Sequence, residues 1–227
     1  MALVDVKMSR LFSWDSFSIE NESNLCMLAV LASLLQRLVA RNERLLFSSG
    51  KSFSTENLCV FAALQVPEMG IEKFLERIFK YSRCSPSAFV VAYVYIDRLI
   101  LNNPSFRITS LNIHRLVITS VMVATKFLDD LHCNNGYFAK VGGLTLEEMN
   151  ILEVEFLFML RFRLHVTVSV FESHCSHFER EVALGGGIQI ERTLLCASRK
   201  EISKLWRQDI WKVVGQRLVM SSRCAGC

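Results

Sequence analysis

Three apolar stretches decide the fold: residues 88–101 (AFVVAYVYIDRLIL), 116–128 (LVITSVMVATKFL) and 151–160 (ILEVEFLFML). The first two are apolar almost all round at helical spacing, the pattern of helices enclosed by other helices. A charge is planted in each stretch: Asp97, Lys126 and Glu155. Taking an ionised side chain out of water is costly unless it is paired, so each should meet a counter-charge in the fold or on another molecule. Lys126 and Glu155 could pair with each other or both face a second molecule.

Outward from these stretches the chain keeps reading as helix. Upstream, Ile71, Phe74, Leu75 and Ile78 form a stripe that ends near Tyr81. Ser85 and Pro86 then supply a cap and a first-turn proline for the helix through 101. Thr109 or Ser110 can cap the next helix, which ends near Leu128. Residues 129–143 read as a polar loop with short ordered parts. Thr145 and Glu148 have capping-box spacing and start a helix to about 160, with Met149, Leu152, Phe156 and Met159 facing the core. A further helix opens near Thr167 or Ser169 and stops at the glycines 185–187. Residues 24–46 carry Leu28, Leu31, Leu35, Leu38 and Val39 at three- and four-residue spacings, capped by Asn21 or Ser23. Residues 190–219 form one or two amphipathic helices. No stretch alternates like a strand, so the fold class is all-α.

Composition agrees. The 227 residues include 16 Phe but only 3 Pro and 10 Gly, enough apolar material for a core and too little turn chemistry for a disordered chain. Residues 199–227 hold seven basic and two acidic side chains, a local +5 within a formal +4. The remainder is therefore close to neutral, and the basic balance carries no reading of nucleic-acid binding. The opening residues lack the form of a secretory signal, and no uncharged apolar run reaches the ~18 residues of a membrane span. An intracellular protein with eight free cysteines is expected, in nucleus, cytoplasm or both, with no membrane partner.

The text FLERIFKYSRCSPSAFVVAYVYIDRLI, LNIHR, VMVATKFLDD, GYFAKVGGLTLEEMNILEVEFLFMLRFRLHV and FESHCSHFEREVALGGG resembles the plant P-type cyclins, also called U-type, which are similar to the yeast phosphate-signalling cyclins. The resemblance covers residues 25–196. It implies a single five-helix cyclin box with an amino-terminal helix and a carboxy-terminal helical extension. It also implies a non-catalytic subunit that binds and activates a cyclin-dependent protein kinase. The runner-up reading is a cyclin-fold scaffold, or a transcription-related adaptor, that activates no kinase.

By the same resemblance, Lys126 and Glu155 occupy the positions that meet the kinase, and Asp97 occupies a position paired inside the fold with an arginine, for which Arg77 is the candidate and Arg98 the alternative. The substrate-docking motif of mitotic cyclins is missing; FLERIFK stands in its place. The implied division is a flexible amino terminus (1–23), a helix and linker (24–66), the cyclin box (67–187), and an extension with a basic tail (188–227). The tail is expected to be dispensable for kinase binding.

Other chemistry is sparse. His132, Cys133, His174, Cys175 and His177 lack metal-ligand spacing, because residues two apart on a helix point in different directions. No catalytic triad, phosphate loop or kinase signature is present, so no metal, cofactor, small-molecule substrate or enzyme activity is expected. Cys224 and Cys227 only formally outline a prenylation box.

Overall fold

The structure, a computed structural model, describes residues 14–48 and 60–183, with side chains described for 24–48 and 60–181. Seven helices and no strands make up the described residues: α1 (Trp14–Ser48), α2 (Ile71–Ser82), α3 (Pro86–Asn102), α4 (Ile113–Leu128), α5 (Asn135–Gly142), α6 (Leu146–Met159) and α7 (Val168–Ala183). The expected extension at 188–227 and the glycines at 185–187 lie outside the described residues.

Local chemistry explains most boundaries. The Ser85 hydroxyl oxygen accepts the Ala88 N–H at 3.3 Å, and Pro86 opens α3. Thr145 and Glu148 complete their reciprocal capping box at 3.1 and 2.9 Å. Thr167 accepts the Val170 N–H at the start of α7. Three boundaries differ from the sequence reading. α1 begins at Trp14 rather than at 24, so Asn21 and Ser23 are interior and not caps. The N-cap of α4 is Asn112, not Thr109 or Ser110. Its amide holds the turn before the helix by accepting the Thr109 N–H and donating to the Arg107 carbonyl, each at 2.9 Å. The stretch read as a loop contains α5, capped by Asn134 and closed by Gly143 at φ +70°, a conformation that glycine adopts without strain.

α3 and α4 are the buried centre. Nearly every residue of α4 from Leu116 to Thr125 is buried, including Thr119, Ser120 and Thr125. Those hydroxyls donate to carbonyls one turn back in their own helix, so they enter the core without stranding a polar group. α4 packs on α3, α5, α6 and α2, while α3 also packs on α7 and α1. At Gly142 an added Cβ would lie 2.6 Å from Ile118 Cδ1, so glycine permits the close approach of α5 to α4. The carboxylate of Asp129, just past α4, takes both the backbone N–H and the hydroxyl of Ser85 at 3.1 and 2.6 Å, clipping the start of α3 to the end of α4.

The segment Asn24–Ser48 of α1 is long and apolar enough to cross a membrane by length and composition. In the fold its apolar face, including Met27, Leu28, Leu31, Leu35 and Val39, is core. Asn42 donates to the Ile108 carbonyl at 3.0 Å, and Glu43 accepts the Ser110 N–H at 2.8 Å. These bonds lock the end of α1 onto the α3–α4 connection.

Candidate functional site

Lys126 stands in the last turn of α4, where a cation also suits the helix dipole. Its Nζ lies 2.6 Å from Glu153 Oε1 on α6. The other Glu153 oxygen accepts from Asn135 Nδ2 at 2.7 Å, and the same amide reaches Asn150 Oδ1 at 2.8 Å. The lysine therefore meets an acid on α6, as an ion pair requires, but that acid is Glu153 and not Glu155. Core residues Met149, Leu152 and Phe156 fix the rotation of α6. Residues advance by about 100° each, which puts Glu153 on the flank towards α4 and Glu155 about 200° further round. Glu155 makes no ion pair or hydrogen bond among the described residues.

Glu155 instead stands four residues after Ile151 and three before Phe158, at the border of an apolar face on which Ile151, Val154 and Phe158 follow one another at spacings of three and four residues. Those three apolar side chains are 55%, 53% and 62% exposed, although the helix also has a fully buried apolar face. Just past α6, Phe162 is 59% exposed and stacks edge-on against Phe158 with centroids 5.3 Å apart. Arg161 and Phe162 have φ of +53° and +55°, strained for residues other than glycine. The strain is held by bonds from α3: Tyr95 Oη donates to the Leu164 carbonyl at 2.8 Å, and Arg98 donates to the carbonyls of Arg163 and His165 at 2.9 Å. Two side chains of the sequence YVYIDR thus aim the aromatic corner outward.

This overturns the expected pairing of Asp97 with Arg77. Asp97 is not enclosed; its side chain is 52% exposed, and its neighbour is His174 Nε2 on α7 at 3.9 Å. α3 turns this flank towards α7, whereas α2 packs on α1, α4 and α5. The buried Nε of Arg77 has no hydrogen-bond partner among the described residues. Arg98 is likewise committed to carbonyls rather than to Asp97.

The corrected pairing carries a pH signature. His174 donates from Nδ1 to the Val170 carbonyl at 2.8 Å, and the Asp97 carboxylate facing its other nitrogen raises its pKa, burial opposing. A raised folded-state pKa adds stability that is full below the unfolded value of about 6.5 and is lost as pH rises through the folded value. Wild type should therefore melt above Asp97→Asn in mildly acidic buffer, by under ~1 kcal/mol for so exposed a pair, and the gap should close as pH rises. Burial lowers the pKa of His114, which acts in the opposite sense but equally in both proteins. Thermal melts across pH check this; a gap independent of pH would remove the pair.

The metal candidates are placed apart from one another. His174 faces Asp97, Cys175 is buried in the core, and Cys133 donates to the Ser82 carbonyl at 3.6 Å. Burial pushes the Cys84 thiol up to about 11. Among the described residues no group of three or more His, Cys, Asp or Glu is arranged to hold a metal ion, and Cys26, Cys84, Cys133 and Cys175 form no disulfide. Cys224 and Cys227 lie outside the described residues.

Sequence reasoning missed Glu153, Asn135, Phe162 and the Tyr95–Arg98 props. For Glu153 the signal was available: it adjoins the core position Leu152 on the flank side of α6. The props bridge positions more than sixty residues apart and leave no local pattern.

Comparison with known proteins agrees with this architecture. The profile of the family described as Cyclin matches residues 26–164. Cyclin-U2-1 of Arabidopsis thaliana is 52% identical over 184 residues, covering 80% of this chain and 82% of the relative. Cyclin-U2-2 of the same plant is 49% identical over 199 residues, 86% and 85% of the two chains. Cyclin-P2-1 of Oryza sativa subsp. japonica is 46% identical over 168 residues, 74% and 77% of the two. With a family match that spans from α1 through the end of α6, and with this depth of identity, the chain belongs to the cyclin family, in its plant U/P-type branch.

Proposed function

We propose that the protein is the regulatory subunit of a cyclin-dependent protein kinase, which it binds and activates through the open face of α6. The observation that carries this reading is the unpaired Glu155 among Ile151, Val154 and Phe158, flanked by the strained and exposed Phe162. A helix that presents apolar residues to water on one face while burying another is shaped to be covered. The Lys126–Glu153 pair adds a polar contact on the adjoining flank. In the resemblance above, a lysine at the end of the third box helix acts with a glutamate on the helix after the capping box. The geometry favours Glu153 for that glutamate, because it meets Lys126. Glu155 keeps a place at the interface through the apolar face.

The mechanism needs no catalytic group on this chain. A kinase is active when a glutamate of its regulatory helix pairs with the lysine that positions the phosphates. A subunit that packs against that helix only in its inward placement shifts the population towards the active state by its differential affinity. With one donor hydrogen spent on Glu153, Lys126 keeps two for backbone carbonyls near the helix, each Glu153 oxygen keeps a further lone pair for a backbone N–H, and the apolar face supplies burial. A protein with this role is placed in the nucleus, the cytoplasm or both.

The test is copurification with a cyclin-dependent kinase followed by a phosphorylation assay, which separates binding from activation. Lys126→Ala should weaken capture about 30-fold, the effect of removing about 2 kcal/mol from a desolvated charged contact. Its melting should move little, because the pair is partly exposed. Glu153→Gln should weaken capture in the same direction. Capture unchanged in both variants rejects the polar part of the interface. Capture without stimulated phosphorylation favours the scaffold reading.

A further inference from the structure

We propose that the outer face of α1 docks a phosphorylated segment of another protein, one carrying two phosphoryl groups about three residues apart. Arg37, Arg41 and Arg44 line one concavity of about 410 Å³ together with Ala40 and Leu45. Their spacing of four, then three residues puts all three guanidinium groups on one side of the helix. That side lies opposite the buried positions Leu35, Val39 and Asn42. Like charges at these spacings oppose each other and weaken a helix. Arg37 has one acid, Glu181, at its outer nitrogen. Neither Arg41 nor Arg44 has a carboxylate or hydrogen-bond partner among the described residues.

Charge and dimensions select the occupant. The chain's own stretch from Arg199 onward carries +5 and is repelled by this face, so an anionic segment from elsewhere is required. The planar fork of arginine matches the oxygens of a phosphoryl group, and each phosphoryl brings about twice the charge of a carboxylate. From Arg37 to Arg44 the helix rises about 10 Å at 1.5 Å per residue. In a polyproline II segment, with three residues per turn and a rise of about 3.1 Å, groups three residues apart share one side and are separated by about 9 Å. Small Ala40 leaves the middle of the stripe open, and Leu45 offers an apolar contact at its end. The bonds of Asn42 and Glu43 to the α3–α4 connection hold the helix end rigid, so little order remains to be gained on binding. The choice of phosphoryl over carboxylate rests on the kinase reading above, since such a complex produces phosphorylated segments.

The test is direct and needs no kinase, so its failure is distinct from failure of that reading. Fluorescence anisotropy at about 150 mM salt would compare a labelled peptide bearing two phosphoserines three residues apart with its serine and aspartate counterparts. The full chain should bind the phosphorylated form at least tenfold more tightly than either. The pair Arg41→Gln and Arg44→Gln should remove that preference while helicity and melting stay at wild-type values, because both side chains are exposed. Equal binding of the three peptides overturns the proposal. So does an undiminished preference in the double variant, which would move the anion site elsewhere. Binding to phosphatidylserine vesicles with no peptide preference would assign the stripe to a lipid surface and overturn it as well.

Discussion

Phe162→Asp is expected to abolish capture of the kinase at concentrations where wild type is saturated, while the melting temperature stays level or rises. The side chain is 59% exposed and its ring rests only edge-on against Phe158, so removing it opens no core cavity. Its backbone sits at φ +55°, where a residue other than glycine is strained by roughly 1–2 kcal/mol. Aspartate tolerates that conformation better than phenylalanine does, so the folded state loses little and gains some relief. At an interface the change works against binding twice. An aromatic anchor is lost, which at the centre of an interface costs about 2–4 kcal/mol, and a carboxylate must be desolvated in its place. A loss of about 30- to 1,000-fold in affinity follows. The pull-down should be read beside a thermal melt and a kinase assay. Capture at wild-type level would show that the aromatic corner is not covered by the kinase, and the strain at 161–162 would need another cause.

The two glutamates of ILEVEFLFML show what the sequence reveals and what it withholds. A string of apolar residues with carboxylates two apart says that one acid lies on a different side of the helix from the other. It does not say which side faces α4. Packing settles that: Met149, Leu152 and Phe156 enter the core, and Glu153 then falls on the flank beside Lys126. Caps were legible because they are local chemistry; Ser85, Pro86, Thr145 and Glu148 act where their spacing puts them. Short α5 was missed because its eight residues show little of the apolar stripe that marks a helix, and its stops, Asn134 and Gly143, are also loop residues.

Asp97 was misjudged for a different reason. Its helix is apolar nearly all round, which implied enclosure at every position, yet the flank at 97 emerges next to α7 with half its side chain in water. The neighbouring Tyr95 and Arg98 do the internal bonding, and their acceptors are backbone carbonyls, which carry no signature in a sequence.

Phe156→Ala provides the opposite result on the same helix. Phe156 is fully buried and meets Phe61 edge-on at 6.3 Å, so the segment after α1 and helix α6 share this ring. Truncating a buried phenylalanine removes its transfer free energy and leaves a cavity, together about 3–5 kcal/mol. In a domain of this size each kcal/mol lowers the melting temperature by about 2–4 °C, so a drop of roughly 6–20 °C is expected. Where that loss approaches the whole stability of the domain, a large unfolded fraction appears near 37 °C. Kinase capture should then fall only in proportion to the folded fraction, and cooling should restore it, because the open face of α6 and the Lys126–Glu153 pair are untouched. A variant that melts like wild type would mean that α6 is rotated away from the orientation described. Its two faces would then exchange roles, with Phe156 rather than Phe158 on the side offered to the kinase.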